Sequence, residues 1–434
     1  MSGKNLRLVV ALGGLAVVLL LSSCSSDTQA EQAEPVNAAT APAEDGIRVG
    51  RAPNDPFVVS ANDLGVFSGT TQPTIPNKSY VSTCVPKWAT DNPEPGKYSW
   101  GQTDEFISRA EQWGFTDILS AFCITPQWAG KPIEGEDRSV VSPGGAAPPK
   151  SLKDWRTYLE AVVKRYQGRI SGYSVWNEPA SPQFFTGSPK QLAEMTQILY
   201  QVVEKQDPEA YVLTGGMQTH TQPYRDYLEG YFAELAKLDW PIDGFSVHLY
   251  PPAGGTPETR VERIKWVQQV VDGLGAPADL PIWDTEVNYE VSQPGGEPDG
   301  RISGQRAAAW TAVSFLDGWR TGIRRTYWYL WTAEYYGFPG IQMRPGDPAT
   351  QAMTTLANWV IGAEFRGCEV ADRLVDCSFA KDGDFRIAYS TSGNVEVTLD
   401  GPAEICPVYG GDCTQGAVSV KVNDTPVRIV PGDG

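Results

Sequence analysis

Residues 172–185, GYSVWNEPASPQFF, combine a short apolar run with a polar turn that contains a proline. The aromatic and β-branched side chains of 172–176 favour a β-strand. Asn177 and Glu178 follow directly, and in folds built from parallel strands the residues just past a strand's carboxyl end line the active site. An Asn-Glu-Pro triplet is also typical of an ordinary turn. The rest of the chain has to distinguish these two interpretations.

Runs like 172–176 recur along the chain, and segments with an amphipathic helical pattern lie between them. The predicted strands are 80–85, 117–122, 170–176, 210–213, 245–248, 281–284 and 326–331. The predicted helices include 155–166, 191–204, 260–272 and 305–319. Most of the strands are apolar throughout, which is typical of parallel strands that are buried on both faces.

This alternation predicts an α/β fold, namely a (β/α)8 TIM barrel over residues 57–363 with its remaining strand near 58–67. An open doubly wound sheet is the alternative, but it would need a glycine-rich phosphate-binding turn, and the sequence has none. After a predicted helix at 350–361 the pattern changes to short strands joined by turns. We therefore predict a small C-terminal β-sandwich domain over 364–434. Its predicted strands are 374–379, 385–389, 395–399, 418–422 and 427–430.

The amino-terminal residues have the pattern of an export signal. Lys4 and Arg7 precede an apolar run at 8–21, which is too short to span a bilayer comfortably. The small residues that precede Cys24 resemble the lipobox of bacterial lipoproteins. The resemblance implies removal of residues 1–23, a lipid on Cys24, and a location outside the cytoplasm, anchored to the cell membrane. The alternative is an uncleaved anchor with an incidental cysteine.

Residues 24–56 are rich in Ala, Glu, Pro and Thr and poor in large apolar side chains, which predicts a disordered tether. The formal net charge of the chain is −17. A surface of that sign repels phosphate backbones, so we expect no nucleic-acid partner. The charge does not restrict a neutral substrate.

Cysteine and histidine usage limits the chemistry further. The chain has only two histidines, which leaves little material for a metal centre or a Ser-His-Asp triad. We therefore expect no metal and no cofactor. Apart from Cys24 there are six cysteines, and an even number in an exported chain favours disulfides. Their spacing favours the pairs Cys84–Cys123, Cys368–Cys377 and Cys406–Cys413.

Polar and aromatic side chains follow the predicted strands at their carboxyl ends. In a barrel these ends meet on one face, so we expect the side chains to lie together. Two carboxylates, from the fourth and the seventh strand, are the pair that cleavage of a glycoside needs. The set consists of Asn177 and Glu178, His220, His248 and Tyr250, Glu286, and Trp328 and Trp331.

Six segments carry a resemblance to known enzymes over residues 87–363: KWATDNPEPGKYSW, ITPQWAG, YSVWNEPASPQFFTGS, FSVHLYPP, LPIWDTEVNY and YWYLWT. They resemble the clan A glycoside hydrolases, the 4/7 superfamily of retaining enzymes. The order and the residues of these segments are most similar to family 39 and its relatives, which include the Asl1-like glycosyl hydrolases. The resemblance implies a retaining glycosidase that cleaves O-glycosidic bonds of an extracellular or cell-wall oligo- or polysaccharide.

The resemblance also implies a role for each matched residue. Glu178 would be the general acid/base and Glu286 the nucleophile, with a pKa of Glu178 raised by its charged neighbour. Asn177 would bind the sugar's 2-hydroxyl, and Tyr250 would orient Glu286. The remaining contacts to the sugar would come from His248 in the same subsite, His220, Trp331 as the floor with Trp328 as its alternate, and Trp128 as a wall.

One position departs from the family pattern. Clan A enzymes usually carry an arginine near the end of the second strand, and this sequence places Thr83 there, with Lys87 nearby. Either another cation takes the arginine's place, or the site is altered. The second function to consider is therefore a surface lipoprotein that binds glycans without cleaving them.

Overall fold

The computed structural model describes residues 58–63, 72, 79–82, 84–130, 144–290, 302–331 and 339–432. The predicted export signal at 1–23, Cys24, the predicted tether at 24–56 and Thr83 lie outside these residues, so those predictions stay predictions. Within the described residues, no helix is both long and apolar enough to cross a membrane.

Strands and helices alternate through the first part of the described chain. The strands are β1 Val58–Asp63, β2 Ser79–Ser82, β3 Asp117–Ala121, β4 Gly172–Ser174, β5 Tyr211–Leu213, β6 Met217–Gln218, β7 Phe245–His248, β8 Ile282–Val287 and β9 Ile323–Trp331. The helices are α1 Trp88–Asp91, α2 Gly101–Gln112, α3 Leu152–Arg165, α4 Pro189–Gln206, α5 Gln222–Lys237, α6 Pro257–Gly273, α7 Gly304–Arg320 and α8 Pro348–Val360. Every predicted strand overlaps an observed one, and the remaining strand predicted near 58–67 is β1.

All nine strands pair in parallel in one sheet, in the order β5-β4-β3-β2-β1-β9-β8-β7-β6. The two ends of this order, β5 and β6, are consecutive parts of the segment 211–218. β5 pairs with β4, and β6 pairs with β7. Single bridges, Asn177 with Gly216 and Leu213 with Gly244, extend the pairing on both sides of the same segment.

The interior between the strands is filled by a cluster of buried apolar side chains at the amino-terminal side of the sheet. Its members are Val81, Leu119, Tyr211, Leu213, Trp283 and Tyr327. The guanidinium of Arg325 lies 4.3 Å from the centre of the Trp283 ring and pairs with Asp117, so charge is compensated at this end. This packed end is typical of a face that serves stability, and it leaves the carboxyl ends of the strands for function.

The C-terminal residues form a second, antiparallel sheet in the order β10-β11-β12-β15-β13-β14. Its strands are β10 Glu364–Ala371, β11 Leu374–Ala380, β12 Asp384–Ser390, β13 Val395–Pro407, β14 Thr414–Val422 and β15 Val427–Pro431. Apolar residues of β11 and β12 pack in one cluster with α7 and α8. A smaller cluster that includes Ala388, Val397 and Val422 lies among β12–β15. The six strands belong to one hydrogen-bonded sheet, and the two-layered sandwich stays a prediction.

The three predicted cysteine pairs are bonded in the structure. Cys84 and Cys123, with Cα atoms 4.9 Å apart, join the chain just past β2 to the chain just past β3. Cys368 and Cys377 are opposite each other on β10 and β11, and Cys406–Cys413 closes the turn between β13 and β14. The first bridge fixes two loops at the carboxyl ends of neighbouring strands, next to the candidate site.

Candidate active site

Glu178 and Glu286 both approach the same ring nitrogen of one histidine. Nδ1 of His248 is 2.9 Å from Oε1 of Glu178 and 3.4 Å from Oε2 of Glu286. The three atoms all lie within 4.8 Å of one another. A protonated imidazole that donates from Nδ1 explains this spacing by hydrogen bonding and charge attraction. The structure therefore brings together three of the residues that the sequence placed on different strands.

Glu178 is held by the backbone of the turn that follows β4. The amide of Asn177 donates to the carbonyl of Phe122 at 3.0 Å, which ties the turn to the chain after β3. Glu178 itself has a φ of +46°, in the left-handed region, and its carbonyl accepts from the amide of Ser181 at 3.0 Å. Pro179 lies inside this turn. The Asn-Glu-Pro triplet is thus a turn, and it directs a carboxylate towards the strand ends.

Glu286 comes from within β8 and is almost completely buried. The hydroxyl of Tyr250 donates to its Oε2 at 2.9 Å. The amide of Leu249 donates to its carbonyl at 3.2 Å, and His248 pairs with it in the β7–β8 ladder. Three consecutive residues, the last of β7 and the two that follow it, therefore contact Glu286.

A buried ion pair lies behind this segment. Arg260 of α6 contacts Oδ2 of Asp284 through Nη2 at 2.6 Å and Nε at 3.1 Å, and both side chains are fully buried. Oδ1 of Asp284 accepts from the amide of Leu249 at 3.1 Å. Nη1 of Arg260 also donates to the carbonyl of Ser314 at 2.9 Å. Asp284 thus links α6 to the residue between His248 and Tyr250.

The electrostatics follow from burial and from the short distances. Burial raises the pKa of Glu286 to about 7; the nearby charge of Glu178 adds to the rise, whereas His248 and the Tyr250 hydrogen bond oppose it. Burial alone would lower the pKa of His248, but Glu286 and Glu178 outweigh it, so this pKa is raised. The structure thus places a raised pKa at Glu286, the carboxylate that the resemblance assigns as the nucleophile.

Asn177 and His220 lie close to the same centre. Asn177 is buried, its Oδ1 has no hydrogen-bond partner in the described part of the chain, and it lines a cavity of about 10 Å³ together with Ser174, Ser246 and His248. That is about the room one water molecule needs. The ring of His220 contacts that of Tyr250 edge-to-face, at a centroid distance of 6.4 Å, and burial lowers the pKa of His220.

The two tryptophans predicted as the floor of the sugar site lie in the core. Trp328 and Trp331 are fully buried in the cluster between the sheet and helices α7 and α8, so neither is a floor for a sugar. Tyr327 and Tyr329, on either side of Trp328 in β9, belong to other clusters. Trp331 lies in the same cluster as Trp328 although it is three positions later, so simple alternation along β9 accounts for Trp328 and not for Trp331. Tyr329, which the sequence analysis did not select, contacts Tyr250 with ring centroids 6.3 Å apart.

Trp128 is half-buried at the edge of the larger core cluster. Its indole N–H donates to the carbonyl of Asn92 at 2.9 Å, and its ring meets Trp88 edge-to-face. Within the described residues, no hydrogen bond or ring contact joins Trp128 to Glu178 or Glu286. Its predicted role as a wall of the sugar site stays a prediction.

Comparison with known proteins was made at the levels of sequence and structure. No family model matches the chain, and no curated protein matches its sequence. Solved structures do match: a family 39 glycoside hydrolase from Bacteroides cellulosilyticus WH2 has a TM-score of 0.63 at 15% identity, covering 87% of this chain and 82% of that one. A family 30 endoxylanase from Clostridium papyrosolvens C71 has a TM-score of 0.56 at 13% identity, covering 86% and 95%.

A family 44 xyloglucanase from Paenibacillus polymyxa has a TM-score of 0.53 at 11% identity, covering 87% of this chain and 97% of that one. Similarity of backbone at these identities concerns the fold. The chain has the fold shared by glycoside hydrolases of families 39, 30 and 44, which are clan A enzymes.

Proposed function

We propose that the protein is a retaining glycoside hydrolase that acts by double displacement. The observation that carries the proposal is the approach of Glu178 and Glu286 to the same imidazole nitrogen, with oxygen atoms within 4.8 Å of each other. Retaining glycosidases hold their two carboxyl groups about 5–5.5 Å apart, whereas inverting enzymes need ~6.5–9.5 Å to admit a water molecule. The geometry favours direct attack by one carboxylate.

Glu286 is the nucleophile in this proposal, because it is the more buried of the two and Tyr250 donates to it. In the first step an oxygen of Glu286 bonds to the anomeric carbon as the bond from that carbon to the glycosidic oxygen breaks. The proton of Glu178 passes to the departing oxygen. In the second step water attacks the anomeric carbon, Glu178 takes the proton of that water, and Glu286 is released as a carboxylate.

The proposed steps need an ionised Glu286, which the raised pKa of this residue opposes and its contacts with His248 and Tyr250 favour. The active form has one proton on Glu178 and none on Glu286. Burial and the charge of Glu178 work against ionisation of Glu286, and His248 and Tyr250 work in its favour. Once Glu286 is esterified by the sugar its negative charge is gone, so Glu178 loses a repulsive neighbour and becomes able to act as the base. His248 compensates charge that clan A enzymes usually balance with an arginine.

We propose further that the nine-stranded sheet closes into the (β/α)8 barrel. The support is that residues 211–218 pair with β4 on one side and with β7 on the other, so that β5 and β6 together act as the fifth strand of eight. For the C-terminal sheet, the support for a sandwich is the presence of apolar clusters on different faces of β12, with Ile387 in one and Ala388 in the other.

The proposed substrate is an oligo- or polysaccharide outside the cell. The lipobox-like sequence that ends at Cys24 supports export and attachment to the bacterial cell membrane. A Cys24→Ala variant is expected to move from the membrane fraction to the soluble or secreted fraction. Membrane attachment that is unchanged in this variant would contradict lipidation at Cys24.

The function is tested by the stereochemistry of hydrolysis. A panel of aryl glycosides and wall polysaccharides is screened first, and an active substrate is then hydrolysed in an NMR tube. The sugar released first is expected to have the anomeric configuration of the substrate. Inversion would contradict the mechanism. Binding of a glycan without hydrolysis, unaffected by Glu286→Gln, would instead support the glycan-binding lipoprotein.

A further inference from the structure

Gly216 lies directly against the imidazole of His248. A methyl group at Gly216 would be 2.9 Å from Cε1 and 3.1 Å from Cδ2 of the ring, and closer still to Nε2. Side-chain carbons essentially do not approach other heavy atoms below about 3 Å, because dispersion attraction turns to steep repulsion there. The three atoms nearest to such a methyl all belong to the ring, and the φ angle of Gly216 lies outside the left-handed region.

The backbone of Gly216 is fixed from the other side. Its amide donates to the carbonyl of Trp176 at 3.0 Å, and it forms a bridge with Asn177, the residue before Glu178. The preceding Gly215 lies against Pro179, since a methyl at Gly215 would be 2.9 Å from Cγ of Pro179. The glycine pair between β5 and β6 therefore borders the turn that carries Glu178.

The imidazole is buried, and the space described beside it is the cavity of about 10 Å³ that Asn177 and Gly216 also line. His248 is 1% exposed, it pairs with Gln218 in the β6–β7 ladder, and its carbonyl accepts from the hydroxyl of Thr219 at 3.1 Å. A methyl at position 216 would have to displace the ring relative to the two carboxylates that its Nδ1 meets.

We propose that Gly216 is a positioning residue that sets the location of the His248 imidazole between Glu178 and Glu286. The placement of the ring by Gly216 is argued from the contacts alone. Its effect on catalysis rests on the proposed glycosidase function. The charged and titratable groups of the described residues that face His248 are Glu178, Glu286 and Asp284, the Tyr250 ring at a centroid distance of 6.3 Å, and His220 further away. Displacing the ring from the carboxylates leaves burial as the dominant influence, which lowers the pKa of His248.

The chain has only two histidines, so their ring signals can be followed directly by NMR during a pH titration. A His220→Gln variant assigns the two signals. Gly216→Ala is expected to lower the pKa of His248 by about half a unit or more, as loss of an ionic partner does. The matched control is Gly273→Ala at the end of α6, where a methyl would meet no atom within 4 Å. This control is expected to titrate like the wild type.

A folded Gly216→Ala protein with a wild-type titration of His248 would overturn the proposal. If that variant does not fold, the double variant Gly216→Ala/His248→Ala provides the second test, because removing the ring empties the space that the methyl needs. The double variant is expected to fold, with a Tm close to that of His248→Ala alone. A double variant that also fails to fold, beside a folded His248→Ala protein, would show that Gly216 does not act through His248.

The two proposals fail in different ways. Absence of hydrolysis by the wild type would count against the glycosidase function, and the titration would still report on Gly216. For an active wild type, Gly216→Ala is expected to shift the pH profile of kcat/KM, while Gly273→Ala leaves it in place. An unshifted profile alongside a shifted His248 titration would contradict the catalytic consequence only.

Discussion

The hydroxyl of Tyr250 lies 2.9 Å from Oε2 of Glu286. Tyr250 follows β7 and Glu286 belongs to β8, and the two residues are 36 positions apart in the chain. Both are buried, so the bond is formed away from competing water. The proposed nucleophile thus has a permanent donor at one oxygen before any substrate arrives. Preorganised donors of this kind need no rearrangement during the reaction.

Replacing Tyr250 by Phe removes that donor. Because the Tyr250 hydrogen bond lowers the pKa of Glu286, its loss raises this pKa, and the acid limb of kcat/KM moves to higher pH. A hydrogen bond to a charged group contributes about 1.5–3 kcal/mol, so kcat is expected to fall roughly 10–100-fold. The control is Tyr227→Phe, which loses a 2.9 Å bond from helix α5 to the carbonyl of Gly187 in the loop before α4. An acid limb that moves equally in both variants would contradict the assignment.

Glu286 is expected to reduce the stability of the folded protein at neutral and alkaline pH. Its pKa is raised from 4.5 to about 7, so the folded state holds this proton more tightly than the unfolded chain. The resulting stability is complete below pH 4.5 and is lost as the pH rises through 7. Glu286→Gln is therefore expected to have a higher Tm than the wild type at pH 8. Its free energy of unfolding should be larger there by up to roughly 3 kcal/mol, and this gain should vanish at low pH.

The control for this prediction is Glu94→Gln, at an exposed glutamate that pairs with Lys97. Calorimetric unfolding at several pH values measures both variants. A Glu286→Gln protein that is less stable than the wild type at pH 8 would show that ionised Glu286 does not strain the fold.

The Arg260–Asp284 pair is expected to support both the fold and the site. Arg260→Met leaves the Asp284 carboxylate buried without its cation, which costs about 3–5 kcal/mol. The Asp284 carboxylate that accepts from the amide of Leu249 is then no longer held in place. Because Leu249 lies between His248 and Tyr250, kcat should fall as well. Arg366→Met removes an exposed cation and is expected to change stability by less than ~1 kcal/mol. Equal, small effects of the two variants in urea unfolding would contradict the prediction.

Trp328 is expected to matter for stability and not for substrate affinity. Its ring is fully buried between the sheet and the outer helices, and its N–H has no partner among the described residues. Trp328→Phe therefore loses packing but no hydrogen bond, at a cost of about 1–3 kcal/mol. KM for an active glycoside should stay within a factor of about two of the wild-type value. Loss of a substrate contact worth about 1.4 kcal/mol would instead raise KM about tenfold. A raised KM with an unchanged Tm would contradict this prediction and indicate that Trp328 contacts the sugar.

The sequence predicted the strands and the identity of the polar centre because both depend on strong local signals. Buried parallel strands are apolar throughout, and their carboxyl ends converge, so Glu178, His248, Tyr250 and Glu286 are brought together once the strands are correct. Which face of β9 its aromatic residues occupy was not decided by the sequence. In YWYLW every position is apolar or aromatic, so alternation gives no sign of the inner side.

Other features were missed for reasons of composition or distance. β10 is an edge strand whose residues are mostly exposed, so it has no apolar pattern. Helix α5 was not selected; it contains Gly230 and several aromatic residues of low helix propensity. The importance of Gly216 depends on a ring 32 positions later in the chain, which no local pattern records.

Covalent trapping tests the central claim most directly. The protein is incubated with the 2-deoxy-2-fluoro glycosyl fluoride that corresponds to its active substrate, digested, and analysed by mass spectrometry. We predict a single glycosyl adduct on the peptide that contains Glu286, formed with the loss of fluoride and accompanied by loss of activity. Glu286→Gln should form none. An adduct on Glu178 or on any other residue, or hydrolysis at the wild-type rate by Glu286→Gln, would contradict the account.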